Sequence, residues 1–152
     1  MAKSKKIINL LIKSYWSEIE TVMNYIAQSV NLDGVRAEEI KKSLLAEVAD
    51  ELRHAQSLAK RIKELDGITP GSKEFKAEQT SLQPTKDTTD IVAVIKGVID
   101  AESSAIKQYN ELIKACDGED YVTQDLCIKL LTDEESHKAT FDSFLKEYVK
   151  SK

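Results

Sequence analysis

The sequence predicts an all-α fold, an antiparallel four-helix bundle in which one long crossover joins two helical hairpins. Four segments repeat apolar side chains with the 3.6-residue period of an amphipathic helix. The first and third connections are short and contain glycine, so the helices on either side of each must run antiparallel. The second connection holds both prolines and is long enough to run the length of a bundle.

The helices are expected at about residues 5–31, 36–66, 90–116 and 119–149, with the crossover at about 67–89. In the first hairpin the predicted buried stripes are Ile8, Leu11, Tyr15, Glu18, Val22 and Ile26, then Leu44, Val48, Glu51, Ala55, Leu58, Ile62 and Leu65. In the second hairpin they are Ile91, Ile95, Val98, Glu102, Ile106, Tyr109 and Ile113, then Cys127, Leu130, Glu134, Phe141, Phe144 and Tyr148. Because neither hairpin can bury its stripes alone, we interpret residues 1–152 as one domain rather than as two domains and a linker.

The only two histidines of the chain occur in the same motif. Glu51 and His54 form one E-x-x-H on the second helix, and Glu134 and His137 form another on the fourth. Residues three apart lie on the same face of a helix, so each pair can reach one ligand. A single E-x-x-H is usually a surface ion pair, but its repetition around both histidines favours a functional site.

The first and third helices each carry one glutamate on the apolar stripe. Glu18 and Glu102 precede the E-x-x-H motifs of their hairpins by nearly the same distance. A tyrosine follows each glutamate seven residues later, Tyr25 and Tyr109. The chain therefore contains a weak internal repeat, one copy per hairpin. We expect the two tyrosines to pack in the core. The alternatives are that each donates a hydrogen bond to a ligand carboxylate or acts as an electron donor.

Four glutamates on apolar stripes require a cation. Burying a carboxylate without compensation is costly. Packing the hairpins together would bring four carboxylates and two imidazoles to one layer, a ligand set that suits two iron or manganese ions. Glu20 and Glu135 lie off the stripes and are expected on the polar side. The predicted di-metal site consists of Glu18, Glu51, His54, Glu102, Glu134 and His137.

The segments around these residues resemble the ferritin-like superfamily, and most of all bacterioferritin. The stretches "SEIETVMNY", "DELRHA" and "YVTQDLCIKLLTDEESH" are similar to its ligand-bearing segments on helices one, two and four. The resemblance implies a ferroxidase that binds two Fe(II) ions within one subunit, oxidises them with O2 or H2O2, and stores ferric mineral in an oligomeric shell. It also implies terminal carboxylates at Glu18 and Glu102, bridging carboxylates at Glu51 and Glu134, and terminal nitrogen ligands at His54 and His137.

Two departures from bacterioferritin matter. Leu52 occupies the position of the methionine that binds haem, so no haem is expected. Only "KSK" follows the fourth helix, so the short fifth helix of 24-subunit ferritins is not expected. A four-helix subunit with this centre resembles the Dps-like proteins, which implies a 12-subunit shell in preference to a 24-subunit one.

Cys116 and Cys127 are candidates for the cysteine pair that some Dps-like proteins carry near the metal site. On straight helices, at 1.5 Å per residue, the two lie roughly 10 Å apart, which is too far for a disulfide. We expect two small buried side chains instead.

Composition limits the remaining alternatives. The net charge is only −4, with both signs interspersed, which argues against a nucleic-acid scaffold. We interpret the basic start "MAKSKK" as a solubilising end and do not expect DNA binding. No segment reaches 18 consecutive apolar residues and the N-terminus lacks a signal-peptide core, so a cytoplasmic protein without membrane contact is expected. A rubrerythrin-like peroxidase, a manganese catalase and a non-enzymatic metal- or DNA-binding protection protein are the competing functions.

Overall fold

The computed structural model describes residues 2–150, which form an antiparallel four-helix bundle without strands. Its long helices are α1 (Ala2–Asn31), α2 (Glu38–Glu64), α3 (Ile91–Cys116) and α4 (Tyr121–Lys150), and single 3-10 turns occur at Val35–Ala37 and Ser72–Glu74. The predicted all-α class with two hairpins and one crossover is confirmed. Because α1 already begins at Ala2, Lys5 and Lys6 of the basic start lie within a helix, whereas Met1 lies outside the described residues.

Short turns hold each hairpin together. Gly34 lies in the α1–α2 connection at a φ of 101°, a left-handed conformation that side chains with a Cβ rarely adopt. In the α3–α4 turn, Asp120 accepts a hydrogen bond from the backbone N–H of Thr123 at 3.0 Å. The same carboxylate accepts two hydrogen bonds from Arg61 of α2, at 3.0 and 3.1 Å. This contact links the second hairpin to the first at one end of the bundle.

The hydrophobic core consists of two clusters, and on every long helix the predicted ligands lie between them. One cluster is formed by Tyr25, Leu32, Ala37, Ile40, Leu44, Leu82, Ile91, Val94, Ile95, Val98, Ala101 and Phe141. The other is formed by Ile7, Leu11, Leu58, Ile62, Tyr109, Leu112, Cys116, Cys127 and Leu130. A polar layer at mid-bundle therefore has apolar packing above and below it, which keeps water away from the layer.

The crossover, residues 65–90, packs against the bundle. Leu82 is only 1% exposed, and its carbonyl oxygen accepts a hydrogen bond from the side chain of Gln28 at 2.9 Å. A Cβ at Gly97 of α3 would lie 2.5 Å from the carbonyl oxygen of Ser81. The crossover backbone can approach α3 this closely because position 97 has no side chain.

The side of α1 that faces the crossover differs from the prediction. Glu20, expected in solvent, is 5% exposed and accepts hydrogen bonds from the backbone N–H groups of Glu78 and Gln79 at 2.8 and 2.9 Å. Conversely Ile26, placed on the buried stripe, is 45% exposed, because Tyr25 is the residue that faces the core. The burial of Glu20 was missed because the crossover covers a face of α1 that the periodicity of the helix alone assigns to solvent.

Two further expectations concern the cysteines and the membrane. Cys116 and Cys127 are both free thiols and both fully buried in the core. Burial raises the pKa of Cys116 to about 11 and that of Cys127 to about 12, so both are small apolar core residues at neutral pH. Within residues 2–150, none of the helices combines the length and the hydropathy that crossing a bilayer demands.

Candidate metal centre

The bundle brings all six predicted ligand residues into the polar layer at mid-bundle. Glu18 comes from α1 and Glu102 from α3, while α2 and α4 each supply the glutamate and the histidine of one E-x-x-H motif. All four carboxylates are at most 3% exposed. His54 is fully buried and His137 is 8% exposed. Each helix faces the layer with the polar positions that interrupt its apolar stripe.

The ligand atoms form two overlapping groups, each compact enough for one metal ion. Within each group the candidate atoms lie within 4.8 Å of one another. One group is Glu18, Glu51, His54 and Glu134; the other is Glu51, Glu102, Glu134 and His137. Glu51 and Glu134 belong to both groups, as expected of bridging carboxylates, whereas Glu18 and Glu102 each belong to one.

Both histidines direct Nδ1 into this cluster. His54 Nδ1 lies 3.0 Å from Glu134 Oε1 and 3.6 Å from Glu51 Oε2. His137 Nδ1 lies 3.2 Å from Glu51 Oε1 and 3.8 Å from Glu134 Oε1. The two rings are nearly parallel, at 14°, with centroids 6.3 Å apart. Each histidine therefore faces the glutamate of the opposite motif as well as its own.

The buried polar atoms of the cluster lack protein partners, which is the observation that makes this layer a candidate cation-binding site. Both carboxylate oxygens of Glu51, one oxygen each of Glu102 and Glu134, and Nδ1 of both histidines have no hydrogen-bond partner among residues 2–150. Unpaired buried oxygens and nitrogens are costly, and so many in one place are rare in a folded protein. The donor set of carboxylate oxygens and imidazole nitrogens fits two hard or borderline metal ions.

The electrostatics of the layer indicate a cluster that holds protons when no cation is bound. Burial raises the pKa of Glu134 to about 10 and raises the pKa of Glu102 above its ordinary value. Burial also raises the pKa of Glu51 well above its ordinary value, and the nearby negative charge of Glu18 raises it further. Burial alone would raise the pKa of Glu18 too, but its close neighbours Glu51 and His54, together with the hydrogen bond from Tyr109, lower it. Binding of a cation must therefore release protons from the layer.

The two tyrosines of the internal repeat bond across the hairpins. The Tyr25 hydroxyl on α1 donates a hydrogen bond to Glu102 on α3. The Tyr109 hydroxyl on α3 donates one to Glu18 on α1. Both tyrosines are buried, which together with the adjacent carboxylates raises their pKa well above the ordinary value, so both remain protonated donors. Each tyrosine therefore orients the buried glutamate of the opposite hairpin, Glu102 or Glu18.

Sequence reasoning missed two aspartates at the edge of the layer. Asp50 accepts a hydrogen bond from His137 Nε2 at 3.2 Å, and Asp133 accepts one from His54 Nε2 at 2.9 Å. A signal was present, because each aspartate directly precedes the glutamate of an E-x-x-H motif. The repeat is therefore D-E-x-x-H rather than E-x-x-H.

A further buried carboxylate, Glu47, was also missed. It is 7% exposed, and its Oε2 lacks a hydrogen-bond partner within the described chain. Burial raises its pKa to about 8, an effect that the positive charge of nearby His137 partly offsets. Glu47 lies one turn before Glu51 on the same face, where α4 has Leu130 one turn before its glutamate. It therefore breaks the symmetry between the two hairpins.

Comparison with known proteins agrees with this geometry. Residues 8–150 match the family model described as ferritin-like domain. A bacterioferritin from Desulfovibrio desulfuricans is 28% identical over 142 residues, which cover 93% of this chain and 75% of that protein. A DNA protection during starvation protein from Pyrococcus furiosus is 28% identical over 143 residues, covering 93% of this chain and 77% of that protein.

Solved structures show the same fold. The bacterioferritin-related protein of Bacteroides fragilis, described as a dodecameric thioferritin, superposes with a TM-score of 0.90 at 24% identity. The superposition covers 97% of this chain and 89% of that one. With four antiparallel helices, one crossover and a buried carboxylate–histidine layer, the chain belongs to the ferritin-like domain family.

Proposed function

We propose that this protein is a ferroxidase and iron-storage protein. It binds two Fe(II) ions per subunit in the buried layer, through Glu18, Glu51, His54, Glu102, Glu134 and His137. Fe(II), the substrate, supplies the electrons that reduce O2 or H2O2, and the ferric product is retained within an oligomeric shell. Glu51 and Glu134 are the bridging ligands of this proposal because each belongs to both ligand groups.

The observation that carries the proposal is the set of buried, unpartnered atoms from α2, α3 and α4 that converge with Glu18 of α1 in one layer. Four carboxylates supply four negative charges, which balance two Fe(II) ions. Hard carboxylate oxygens stabilise Fe(III) more than Fe(II), so this donor set favours oxidation. An apolar core above and below the layer limits the release of reactive oxygen products to the surroundings.

The surrounding residues hold the donors in place. Tyr25 and Tyr109 donate to the terminal carboxylates, which leaves the second oxygen of Glu102 free in the layer. Protons that leave Glu51 and Glu134 on metal binding must move out of a buried site. The α2–α4 face offers one way out, because His137 is 8% exposed there and Asp50 and Asp133 are half-buried.

The shell rests on the relatives. We propose twelve subunits because the Bacteroides fragilis protein of the same fold is described as dodecameric. Haem binding is not part of the proposal, because Leu52 stands where the resemblance implies a haem-binding methionine; its side chain is 44% exposed.

Anaerobic Fe(II) titration followed by aeration tests the proposal, with the particle sized by light scattering. Wild-type protein should bind two Fe(II) per chain, oxidise them rapidly, and then retain many more than two per chain in a large particle. Glu134→Gln removes a bridging carboxylate and should abolish rapid oxidation. Glu135→Gln is the matched control, since it makes the same change one residue away at an exposed position.

The outcomes separate the candidate functions. Tight metal binding without oxygen-dependent oxidation would exclude the ferroxidase and favour a manganese enzyme or a passive metal-binding protein. Oxidation of two Fe(II) without further retention would refute storage and favour a peroxidase. Equal oxidation by Glu134→Gln and Glu135→Gln would show that the layer is not the oxidation site.

A further inference from the structure

A cavity of about 410 Å³ lies between α1, α3 and the crossover, outside the metal layer. It is lined by side chains from residues 13–20 of α1, 76–81 of the crossover and 101–111 of α3. Its volume falls in the range of about 300–1,000 Å³ that is typical of small-molecule sites. None of the six candidate metal ligands lines it, so any ligand that it binds is separate from the metals.

Hydrogen bonds between the three elements hold the cavity in shape. The Glu20 carboxylate accepts from two backbone N–H groups of the crossover, and the Gln79 side chain of the crossover donates to Thr21 at 2.7 Å. Gln108 of α3 donates to Ser14 of α1 at 2.8 Å. The cavity is therefore formed before a ligand enters it, as most small-molecule sites are.

Trp16, the only tryptophan of the chain, lines this cavity. Its side chain is half-buried, whereas the core clusters above and below the metal layer are built from other residues. An accessible tryptophan ring offers a flat face on which a planar heterocycle can stack. Stacking of a nucleotide base on an aromatic side chain strengthens binding by about 5–150-fold.

Each of the three elements also contributes one lysine to the lining: Lys13 from α1, Lys76 from the crossover and Lys107 from α3. None of the three forms an ion pair with a carboxylate in the part of the chain that the structure describes. Their ammonium groups are therefore available to an anion, and phosphate oxygens accept charge-assisted hydrogen bonds from such groups.

Three carboxylates share the lining with these lysines. Glu20 is held by the crossover, while Glu78 and Glu111 are exposed. A simple anion is attracted by the lysines and repelled by the glutamates, so a cavity of balanced charge does not select it. A ligand with a phosphate at one end and a ring that carries N–H groups at the other matches both kinds of side chain.

We propose that the cavity between α1, α3 and the crossover binds a nucleotide, with the planar heterocycle stacked on Trp16 and the phosphate bound by the three lysines. Adenine nucleotides and flavin mononucleotide share this chemistry, and the experiment below separates them. The inference does not depend on the proposed ferroxidase, because it concerns residues outside the metal layer and is tested on metal-free protein.

Titration of the metal-free full-length protein with AMP, followed by tryptophan fluorescence, tests the inference. Because the chain has one tryptophan, any change in the signal reports on Trp16. FMN, which absorbs light emitted by tryptophan, is titrated by calorimetry. At least one of the two should bind with a Kd below about 1 mM, and AMP binding should quench Trp16.

Two fragments of AMP separate the contributions of its base and its phosphate. Ribose 5-phosphate lacks the base and should bind about 5–150-fold more weakly than AMP. Adenosine lacks the phosphate, so its binding should not change with salt concentration, whereas AMP binding should weaken as salt is added.

Variants locate the site. The double change Lys13→Gln with Lys107→Gln removes two charges and should weaken AMP binding by about 2–25-fold while leaving adenosine binding unchanged. Trp16→Leu should abolish the preference for AMP over ribose 5-phosphate, measured by calorimetry. Lys129→Gln, an exposed lysine of α4 outside the cavity, is the control and should change neither. Circular dichroism checks that each variant is folded, and the lysine variants still test the inference if Trp16→Leu does not fold.

Several results would overturn the inference. If AMP and FMN both bind with a Kd above about 1 mM, the cavity is not a nucleotide site. If ribose 5-phosphate binds as tightly as AMP, or AMP binds without changing the fluorescence of Trp16, the base does not stack there. Equal weakening by the double lysine variant and by Lys129→Gln would show that the phosphate is not bound in the cavity. Binding of a single-stranded oligonucleotide without binding of AMP or FMN would indicate a nucleic-acid surface instead. Tighter binding of AMP than of FMN would support an adenine nucleotide, and the reverse order would support a flavin.

Discussion

Replacing Glu47 with glutamine should stabilise the metal-free protein increasingly as the pH rises. The carboxyl group is 7% exposed, one of its oxygens has no hydrogen-bond partner among residues 2–150, and burial raises its pKa from 4.5 to about 8. A raised pKa means that the folded protein binds the proton more tightly than the unfolded chain does. The resulting penalty is absent below pH 4.5, and it grows as the pH rises to about 8. Glutamine cannot ionise, so the variant avoids this penalty.

The magnitude follows from the two pKa values. Linkage gives a penalty of roughly 1 kcal/mol at pH 5 and roughly 3 kcal/mol at pH 7, at about 1.4 kcal/mol per pKa unit. The free energy of unfolding of Glu47→Gln relative to wild type should therefore rise by roughly 2 kcal/mol between these pH values. Any constant effect of the amide on packing cancels in this difference.

Urea denaturation of the metal-free protein, followed by circular dichroism at pH 5, 6 and 7 and at one protein concentration, measures this difference. Glu135→Gln, an exposed carboxylate on α4, is the control and should stay within about 0.5 kcal/mol of wild type. A stability difference between Glu47→Gln and wild type that does not change from pH 5 to pH 7 would refute the reasoning. Glu47 would then be ionised in the folded protein and stabilised by a cationic partner.

Three further predictions concern the metal layer and the packing around it. Because the pKa of Glu134 is raised to about 10, Co(II) should displace protons when it binds and should bind more tightly as the pH rises. Calorimetry in two buffers of different ionisation enthalpy counts the released protons. The absence of proton release at pH 7 would contradict the prediction. Tyr109→Phe leaves a buried carboxylate without its donor and should lower the free energy of unfolding of the metal-free protein by about 1–3 kcal/mol, measured by urea denaturation. The exposed Tyr121→Phe is its control, and an equal effect of both changes would show that the hydrogen bond does not contribute. Gly97→Ala should destabilise by about 1–3 kcal/mol in thermal or urea unfolding, because its Cβ would lie 2.5 Å from a crossover carbonyl oxygen. Gly71→Ala, with open space around it, should have little effect, and a neutral Gly97→Ala would mean that the crossover moves freely.

The helices and the six candidate ligands could be predicted because both depend on spacing within one helix. A period of 3.6 residues decides which side chains share a face, and a glutamate on an apolar face is conspicuous whatever packs against it. Glu51 and His54 lie on the same side of α2 for this reason alone, and both are fully buried in the structure. The metal role of the six residues stays a prediction until metal binding is measured.

The contacts between elements could not be predicted in the same way. Glu20 lies on a face of α1 that periodicity assigns to solvent, yet its carboxylate accepts hydrogen bonds from two backbone N–H groups of the crossover. The crossover has no periodicity of its own, so no pattern indicated which face of α1 it covers. Leu82, the crossover residue that enters the core, was missed for the same reason.

The sequence by itself determined the fold class, the two hairpins and the layer of carboxylates and histidines, because local geometry sets these features along each helix. Only the tertiary structure decided which hairpin the tyrosines and aspartates around the layer contact. Tyr25 and Asp50, like their repeat counterparts, contact candidate ligands of the opposite hairpin. The physical reason is that crossed contacts depend on the rotation and axial register of one hairpin against the other, and these are set by how the whole core packs rather than by any spacing along the chain.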